Sequence, residues 1–137
     1  MILGLGIDLL NKNRINNLLI KFKDKVIKKI LSDKEILLYK DIINDDKKVS
    51  FISKRFSSKE SFLKAIGIGL GRGITMKDIT IINNELGKPN IIINQHCKNF
   101  LEKFYNKNFD KIKIDISITD ENNLVNTIVI ISEHNDE

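Results

Sequence analysis

Several residue types are scarce in this chain of 137 residues. Cys97 is the only cysteine, so the chain can form no internal disulfide and offers no cluster of thiolates for a zinc site. Tryptophan is absent and tyrosine occurs twice, which leaves little aromatic surface for stacking on nucleic-acid bases. No apolar run approaches the roughly 20 residues that a membrane-spanning helix needs. The sequence thus disfavours disulfide scaffolds, zinc modules and membrane spans.

Acidic residues are outnumbered, with 18 against 23 lysines and arginines, which gives a formal net charge of +5. A content of 42% hydrophobic and 30% charged residues is typical of one folded domain, here residues 1–137. The first residues lack a basic region and reach Asp8 early, so we do not expect a signal peptide. These features predict a cytoplasmic protein with an acidic partner, which could be nucleic acid, an anionic protein or a phosphorylated small molecule.

The start of the chain alternates as a β-strand does. One face carries apolar residues, namely Leu3, Leu5, Ile7 and Leu9. The other face presents Gly4, Gly6 and Asp8, and its two missing side chains predict free space beside Asp8. Alternatively, Asp8 ends the strand as a turn or helix cap, because polar residues follow it.

Residues 14–31 have the spacing of one helix, with an excess of cations. Its cations are Arg14, Lys21, Lys23, Lys25, Lys28 and Lys29, and Asp24 is its one anion. This surface is either an ordinary solvated face or a docking surface for an acidic partner. Ser32–Glu35 has the spacing of a capping box, which predicts a second helix continuing to Ile43. Residues 44–48 are expected to be a polar break.

Residues 54–66 form the predicted central helix, which runs into a glycine-rich segment, residues 67–73. An apolar stripe includes Phe56 and Leu63, and we expect the charged residues to lie away from it: Arg55, Lys59, Glu60 and Lys64. Glu60 and Lys64 are four residues apart and therefore neighbours. A carboxylate, cations and an open glycine loop suit a metal-bound phosphate. The alternative is an ordinary amphipathic helix with a solvated ion pair and a flexible loop, and no nucleotide-binding motif is matched.

The second half of the chain predicts mostly strands. Residues 78–83 and 90–93 are expected to form a hairpin-like unit, followed by a helix over 95–105. Residues 111–119 alternate, with four isoleucines on the core side. Residues 127–131 are a continuous β-branched run, which predicts a central strand covered on both faces.

Several of these segments together resemble a known family. Gly4–Asp8, Arg14–Ile15, Lys54–Glu60 with Lys64 and the glycine loop, Asp78–Ile79, Asn84–Pro89 and Ile118–Glu121 occur in the order seen in holo-acyl-carrier-protein synthases. These are the short, single-domain 4′-phosphopantetheinyl transferases of bacteria. Each motif is weak alone, but their order and spacing across the chain are specific. The resemblance implies an α+β fold with an antiparallel sheet packed against helices.

The resemblance also implies an activity and its residues. Such enzymes move the 4′-phosphopantetheine group of coenzyme A to a serine of apo acyl carrier protein, releasing adenosine 3′,5′-bisphosphate, and they support fatty acid biosynthesis. Asp8 and Glu60 match two Mg²⁺ ligands, and carboxylate oxygens suit Mg²⁺. Lys64 and Arg55 match positions expected to contact coenzyme A phosphates, with the loop glycines Gly67 and Gly69 beside them. The carrier-protein docking surface matches the basic segment, with Arg14, Lys21, Lys25 and Lys28.

The chain departs from the family pattern in two places. Where many members carry a histidine that is a candidate for activating the serine, this chain has Asp120. The base could therefore be Asp120, Glu121 or a metal-bound water. Small alanines of the family are replaced in residues 124–127, so local packing must differ. Arg72 in the glycine loop has no assigned role.

The assembly is implied by resemblance alone. Members of this size are like one half of the longer, two-copy transferases, so a single copy needs a second subunit to complete its site. This implies a homotrimer with coenzyme A at each subunit interface, and no partner that is a nucleic acid or a membrane. The competing hypothesis is a small basic module that binds RNA or the ribosome. It leaves Asp8 unexplained and predicts aromatic residues interleaved with the basic ones, whereas this chain has no Trp, two Tyr and Phe residues mostly at core positions.

Overall fold

Antiparallel strands and five α-helices make up the fold in a computed structural model, which describes residues 1–135. In chain order the elements are β1 (Ile2–Asn11), α1 (Lys12–Phe22), α2 (Asp24–Ile30), α3 (Asp33–Lys40), α4 (Asp45–Ile66), β2 (Ile79–Asn83), β3 (Pro89–Ile93), α5 (Gln95–Tyr105), β4 (Ile112–Glu121) and β5 (Leu124–Glu133). Short 3₁₀ turns cover Met76–Asp78 and Phe109–Lys111. The predicted α+β class is confirmed. No helix within residues 1–135 is long and apolar enough to cross a membrane.

The main sheet has three antiparallel strands in the order β1-β5-β4, and β2 and β3 form a separate two-stranded hairpin. The β-branched run of β5 is central, as predicted. The expectation that both faces of this strand are covered is wrong for the single chain. Val125, Thr127, Val129 and Ile131 are buried, but the residues between them are only partly buried. On this open face, the neighbouring β1 exposes Leu5, Ile7 and Leu9 by 59%, 58% and 67%.

Strand β1 departs from simple alternation near its start. The register with β5 shifts between Ile2 and Gly4, and Leu3 packs against the core rather than joining the exposed leucines. This corrects the expectation that Leu3 and Leu5 share a face. A bulge adds one residue to one strand, so side chains before and after it change sides.

The predicted single helix over residues 14–31 is broken. Lys23 has a φ of 47° and ends α1, and α2 begins at the next residue. A straight helix of that length would run about 27 Å in one direction. The break turns the chain, so that Ile15 on α1 and Val26 and Ile30 on α2 join one apolar cluster.

Helix α4 is the central element and packs against both β1 and β5. It begins at Asp45, not after a polar break at 44–48, because the Asn44 side chain accepts a hydrogen bond from the Lys47 N–H and caps it. It ends at Gly67, which adopts a φ of +87°. The capping box of Ser32 and Glu35 is present, but α3 ends at Lys40, before the predicted Ile43.

Candidate active site

Two glycines on β1 bring the strand against α4. A Cβ added at Gly4 would lie 1.9 Å from the Ala65 carbonyl oxygen, and one at Gly6 would lie 1.9 Å from the Ser61 carbonyl oxygen. Both distances are far below any van der Waals contact, so only glycine permits this approach. The expectation of free space beside Asp8 is therefore wrong: the backbone of α4 fills it. The glycines serve the site by placing Asp8 directly against the helix.

Asp8 is held by two side chains of α4. Its Oδ1 lies 3.0 Å from Lys64 Nζ, and its Oδ2 accepts a hydrogen bond of 2.8 Å from Ser57 Oγ. The Asp8 side chain is 12% exposed and that of Lys64 52%. The alternative role of Asp8 as a helix cap is excluded, because Asn11 caps α1 by accepting a hydrogen bond from the Asn13 N–H.

Glu60 faces the same region with less compensation. Its pKa is raised, first by burial and then by the negative charge of Asp8, while Lys64 and Arg14 act in the opposite direction. Within residues 1–135, no side chain or backbone group forms a hydrogen bond or ion pair with the Glu60 carboxylate. Two carboxylates thus share one location, and one of them has no direct partner.

The arrangement of Asp8, Glu60 and Lys64 suits a hard cation with an anionic ligand. Carboxylate oxygens are preferred by Mg²⁺, which usually binds one or two of them together with substrate phosphate and water. The part of the chain described contains no group of three or more His, Cys, Asp or Glu that could hold a metal. Asp8 and Glu60 are thus the two candidate ligands, and burial followed by the charge of Asp8 raises the pKa of Glu60.

Arg55 lies elsewhere on α4, although the sequence groups it with Lys64. Its guanidinium stacks 3.5 Å from the centroid of the Phe51 ring, and its Nε is 3.6 Å from Glu35 Oε2. Burial lowers the pKa of Arg55 to about 10. Lys59 is fully buried, so the expectation that both residues lie away from the core is wrong. The contact of Arg55 with coenzyme A stays a prediction.

The glycine segment after α4 is open. A Cβ added at Gly67 or Gly69 would meet no atom within 4 Å, so nothing in the single chain fills the space beside either residue. At the far end of the segment, the Gly73 carbonyl oxygen lies 2.7 Å from His96 Nε2, which ties the loop to α5. A ligand contact at Gly67 and Gly69 stays a prediction.

Asp120 does not join the Asp8 cluster directly. On the sheet, Asp120 is opposite Val125, whereas Asp8 is opposite Thr127. Lys12 Nζ lies 3.0 Å from its Oδ2 and Lys54 Nζ 3.6 Å from its Oδ1. The pKa of Asp120 is lowered, first by the hydrogen bond from Lys12. A lowered pKa makes this carboxylate a weaker base.

The cations predicted to dock a carrier protein are all exposed. The break at Lys23 divides them between two helices, with Arg14 and Lys21 on α1 and Lys25 and Lys28 on α2. The Arg14 guanidinium also lies 5.4 Å from the centroid of the Phe56 ring on α4. Arg14 also lowers the pKa of Glu60, so this one cation of the set lies near the carboxylate site.

Sequence analysis missed four polar side chains that the structure places around these groups: Glu35, Ser57, Ser61 and Thr127. All four are at most 1% exposed. Glu35 had a sequence signal, as the last residue of the capping box, but not for its contact with Lys59. The helical spacing of Ser57 and Ser61 is a signal that they share a face, which nothing in the sequence identifies as the buried one.

Fold and site together define a class of protein: a small α+β domain in which two carboxylates and a lysine lie together where a strand packs against its central helix. The chain belongs to the 4′-phosphopantetheinyl transferase superfamily, whose family model matches residues 4–125. Similar curated proteins are named holo-[acyl-carrier-protein] synthase. The one from Ehrlichia chaffeensis is 41% identical over 96% of this chain and 97% of its own length, and the one from Orientia tsutsugamushi strain Boryong is 39% identical over 96% and 98%.

Solved structures agree with these relatives. The holo-[acyl-carrier-protein] synthase of Neisseria meningitidis superposes with a TM-score of 0.84 at 29% identity, covering 97% of this chain and 100% of that one. The Bacillus anthracis synthase, solved in complex with coenzyme A (3′,5′-ADP), gives a TM-score of 0.78 at 27% identity, covering 98% and 99%. The resemblance inferred from the motifs is confirmed, and none of these relatives supports an RNA-binding module.

Proposed function

We propose that this chain transfers the 4′-phosphopantetheine group from coenzyme A to a serine of apo acyl carrier protein, giving holo acyl carrier protein and adenosine 3′,5′-bisphosphate. The proposal includes a cytoplasmic role in fatty acid biosynthesis. Its main support is that Asp8, Glu60 and Lys64, which match the family motifs, lie together where β1 meets α4. Curated synthases that are similar over nearly the whole chain support the same reaction.

Asp8 and Glu60 would hold Mg²⁺. When bound, the ion would neutralise charge on the diphosphate of coenzyme A. Lys64 is half-exposed beside Asp8, so its ammonium group can reach a phosphate and stabilise the negative charge that develops on the leaving oxygen. The serine oxygen bonds to the phosphorus that carries the pantetheine arm, and the bond from that phosphorus to the bridging oxygen breaks.

The serine must also lose its proton. Asp120 and Glu121 stay the candidate acceptors on the protein. Glu121 is exposed at the end of β4, and Asp120 is held by Lys12 and Lys54. If Asp120 is the base, its ion pairs must loosen when substrate binds, and Asp120→Ala should flatten the acidic limb of the pH–rate profile. An unchanged profile would exclude Asp120.

Coenzyme A would extend from this centre along the open loop. Gly67 and Gly69 carry no side chain that could block a phosphate from reaching the backbone. Arg55 would be available only to a ligand that reaches its buried position, or to one bound by a neighbouring subunit. We propose contacts of coenzyme A with the loop glycines and with Arg55 on these grounds.

We include a homotrimer in the proposal. Its support is the apolar open face of the main sheet, where exposed Leu5 lies opposite Ile130 and exposed Ile7 lies opposite Ile128. A contiguous apolar surface of this kind is typical of a protein–protein interface. Light scattering of the purified protein gives its mass in solution. Ile7→Asp should yield monomers if this face is the interface, and an unchanged mass would place the interface elsewhere.

The exposed cations of α1 and α2 are proposed to dock the acidic carrier protein. Reversing the charge of Lys21, Lys25 and Lys28 together should raise the KM for carrier protein about tenfold or more, since rim charges steer association. The KM for coenzyme A should change little. If neither constant moves, the carrier protein binds to another surface.

The reaction itself is tested by mass. Purified protein is incubated with apo acyl carrier protein, coenzyme A and Mg²⁺, and the carrier protein is weighed by intact mass spectrometry. The expected result is a gain of one phosphopantetheine group, lost when a chelator is present. With a competent carrier protein, verified by a known transferase, no gain would overturn the proposed activity. A gain that resists the chelator would overturn the metal assignment alone.

A further inference from the structure

Three buried hydroxyl groups connect β5 to the Asp8 carboxylate. Ser57 and Ser61 of α4 are fully buried and Thr127 of β5 is 1% exposed. Thr127 Oγ1 lies 2.6 Å from Ser61 Oγ and 2.9 Å from Ser57 Oγ, and Ser57 Oγ lies 2.8 Å from Asp8 Oδ2. The hydroxyls thus form a continuous chain that ends on the one member with access to solvent, Asp8.

The direction of the hydrogen bond between Ser57 and Asp8 follows from counting protons. An ionised carboxylate only accepts, so Ser57 must donate its proton to Asp8. Ser57 Oγ can then only accept from Thr127, whose proton goes either there or to the Ser57 carbonyl oxygen at 2.9 Å. The Ser61 hydroxyl has two acceptors, Thr127 Oγ1 at 2.6 Å and the Thr127 carbonyl oxygen at 3.1 Å. Only the donation from Ser57 to Asp8 is therefore fixed in direction, whereas Thr127 and Ser61 each also have a backbone carbonyl oxygen as an acceptor.

We propose that Ser57, Thr127 and Ser61 are positioning residues, which fix the Asp8 carboxylate for its cation. The inference rests on the proposed function, because it assigns a role to the partners of a proposed metal ligand. Ser57 donates to Oδ2 from the buried side, and Lys64 donates to Oδ1 from the exposed side, where Asp8 would hold the ion. Thr127 contacts the hydroxyl groups of both serines, at 2.9 Å for Ser57 and 2.6 Å for Ser61, and so holds the Ser57 hydroxyl in the position from which it donates to Asp8.

A second fully buried serine on α4 provides the matched control. Ser58 Oγ donates to the Lys54 carbonyl oxygen at 2.6 Å and does not contact Asp8. Ser57→Ala and Ser58→Ala each remove one buried hydroxyl from adjacent positions of one helix. Both should lower stability modestly in urea unfolding, but only Ser57→Ala removes a hydrogen bond from the proposed metal ligand.

The measurement is the affinity for Mn²⁺ in the presence of saturating coenzyme A, followed through the electron paramagnetic resonance signal of the free ion. Partners of metal ligands typically contribute about 10–100-fold to affinity, so Ser57→Ala should weaken Mn²⁺ binding about tenfold or more. Ser58→Ala should leave it near the parent value. Thr127→Val should weaken it less than Ser57→Ala, and Thr127→Ser, which keeps the hydroxyl, should restore it.

Equal affinities for Ser57→Ala and Ser58→Ala would overturn the inference, as would a Thr127→Ser variant no better than Thr127→Val. Either result leaves the proposed function standing if the parent protein binds Mn²⁺ and modifies the carrier protein. A parent that transfers the group but binds no Mn²⁺ would overturn the metal assignment and this inference with it. Far-ultraviolet circular dichroism confirms that each variant is folded before its affinity is compared.

Discussion

Helix α4 contributes to two ionic clusters that differ in burial and in completeness. The closed cluster consists of Glu35, Arg55 and Lys59, and the open cluster consists of Asp8, Glu60 and Lys64. Lys59 and Glu60 are adjacent in sequence, yet Lys59 is fully buried and Glu60 is not. The two clusters show how one helix serves both the fold and the site.

In the closed cluster, both carboxylate oxygens of Glu35 accept hydrogen bonds. Its Oε1 accepts from Lys59 and from the Ser32 N–H, and its Oε2 accepts from the Ile81 N–H. Lys59 Nζ also donates to the Ile30 carbonyl oxygen. Burial lowers the pKa of Lys59 to about 8 even though Glu35 raises it. These bonds connect α2, α3, α4 and β2, and they occupy both oxygens of the Glu35 carboxylate.

The open cluster is incomplete by comparison. It has two carboxylates but one lysine at contact distance, which pairs with Asp8 and is half-exposed. Burial and then the negative charge of Asp8 raise the pKa of Glu60. The difference teaches that burial and complete pairing distinguish structural charges from binding charges better than residue type does, since both clusters contain Glu and Lys.

The largest expected effect is on activity in the open cluster. Asp8→Asn or Glu60→Gln removes a proposed ligand charge with almost no change of volume. We expect the transfer rate to fall about a thousandfold or more, which corresponds to about 4 kcal/mol of transition-state stabilisation. The rate is measured by the mass assay, and circular dichroism should be unchanged. An active Glu60→Gln enzyme would exclude Glu60 as an essential ligand.

The same kind of substitution in the closed cluster should affect stability instead. Glu35→Gln leaves the buried Lys59 ammonium without its anion, and breaking such a pair costs about 3–5 kcal/mol. Urea unfolding measures this loss. Any protein that stays folded should retain its Mn²⁺ affinity, because Glu35 does not contact Asp8. Full stability in this variant would show that the closed cluster does not hold the fold together.

Lys64→Met separates the two kinds of lysine. Since Lys64 is half-exposed, its loss should change the free energy of unfolding by no more than about 1 kcal/mol. The rate of transfer should fall about a hundredfold, because a preorganised charge beside the leaving oxygen is lost. Lys103→Met, at an exposed position of α5, is the control and should change neither quantity. A normal rate in Lys64→Met would remove this lysine from the mechanism.

Local sequence patterns were sufficient where the signal is local. The capping box of Ser32 and Glu35 and the helix over 95–105 are present as predicted. The pairing of Lys64 with Asp8 could not be predicted from spacing, since it joins residues 56 apart in sequence. Only the family motifs brought these two residues together before the structure did.

Other features failed because their meaning depends on a distant segment. A strand with Gly4 and Gly6 lacks side chains, but the sequence does not show that the backbone of α4 occupies their place. Charged residues on α4 were expected to face away from the core, yet Arg55 and Lys59 lie in it because Glu35 supplies the anion. The departure of residues 124–127 from the family's alanines predicted altered packing, but not that Thr127 would carry a hydroxyl to Ser57.

The smallest predicted effect is a change in stability whose sign differs between the two clusters. The folded-state pKa of Glu60 is raised above its unfolded value, so between these values the native protein binds more protons than the unfolded chain, and stability falls as pH rises through this window. At neutral pH without divalent cations, Glu60→Gln should therefore stabilise the protein, by about 0.5 kcal/mol or less for a partly exposed group. Urea unfolding with a chelator at pH 7 measures this gain, which Mg²⁺ should cancel by stabilising only the parent. Since Glu35→Gln destabilises, a loss of stability in both variants would mean that the open cluster is structural as well.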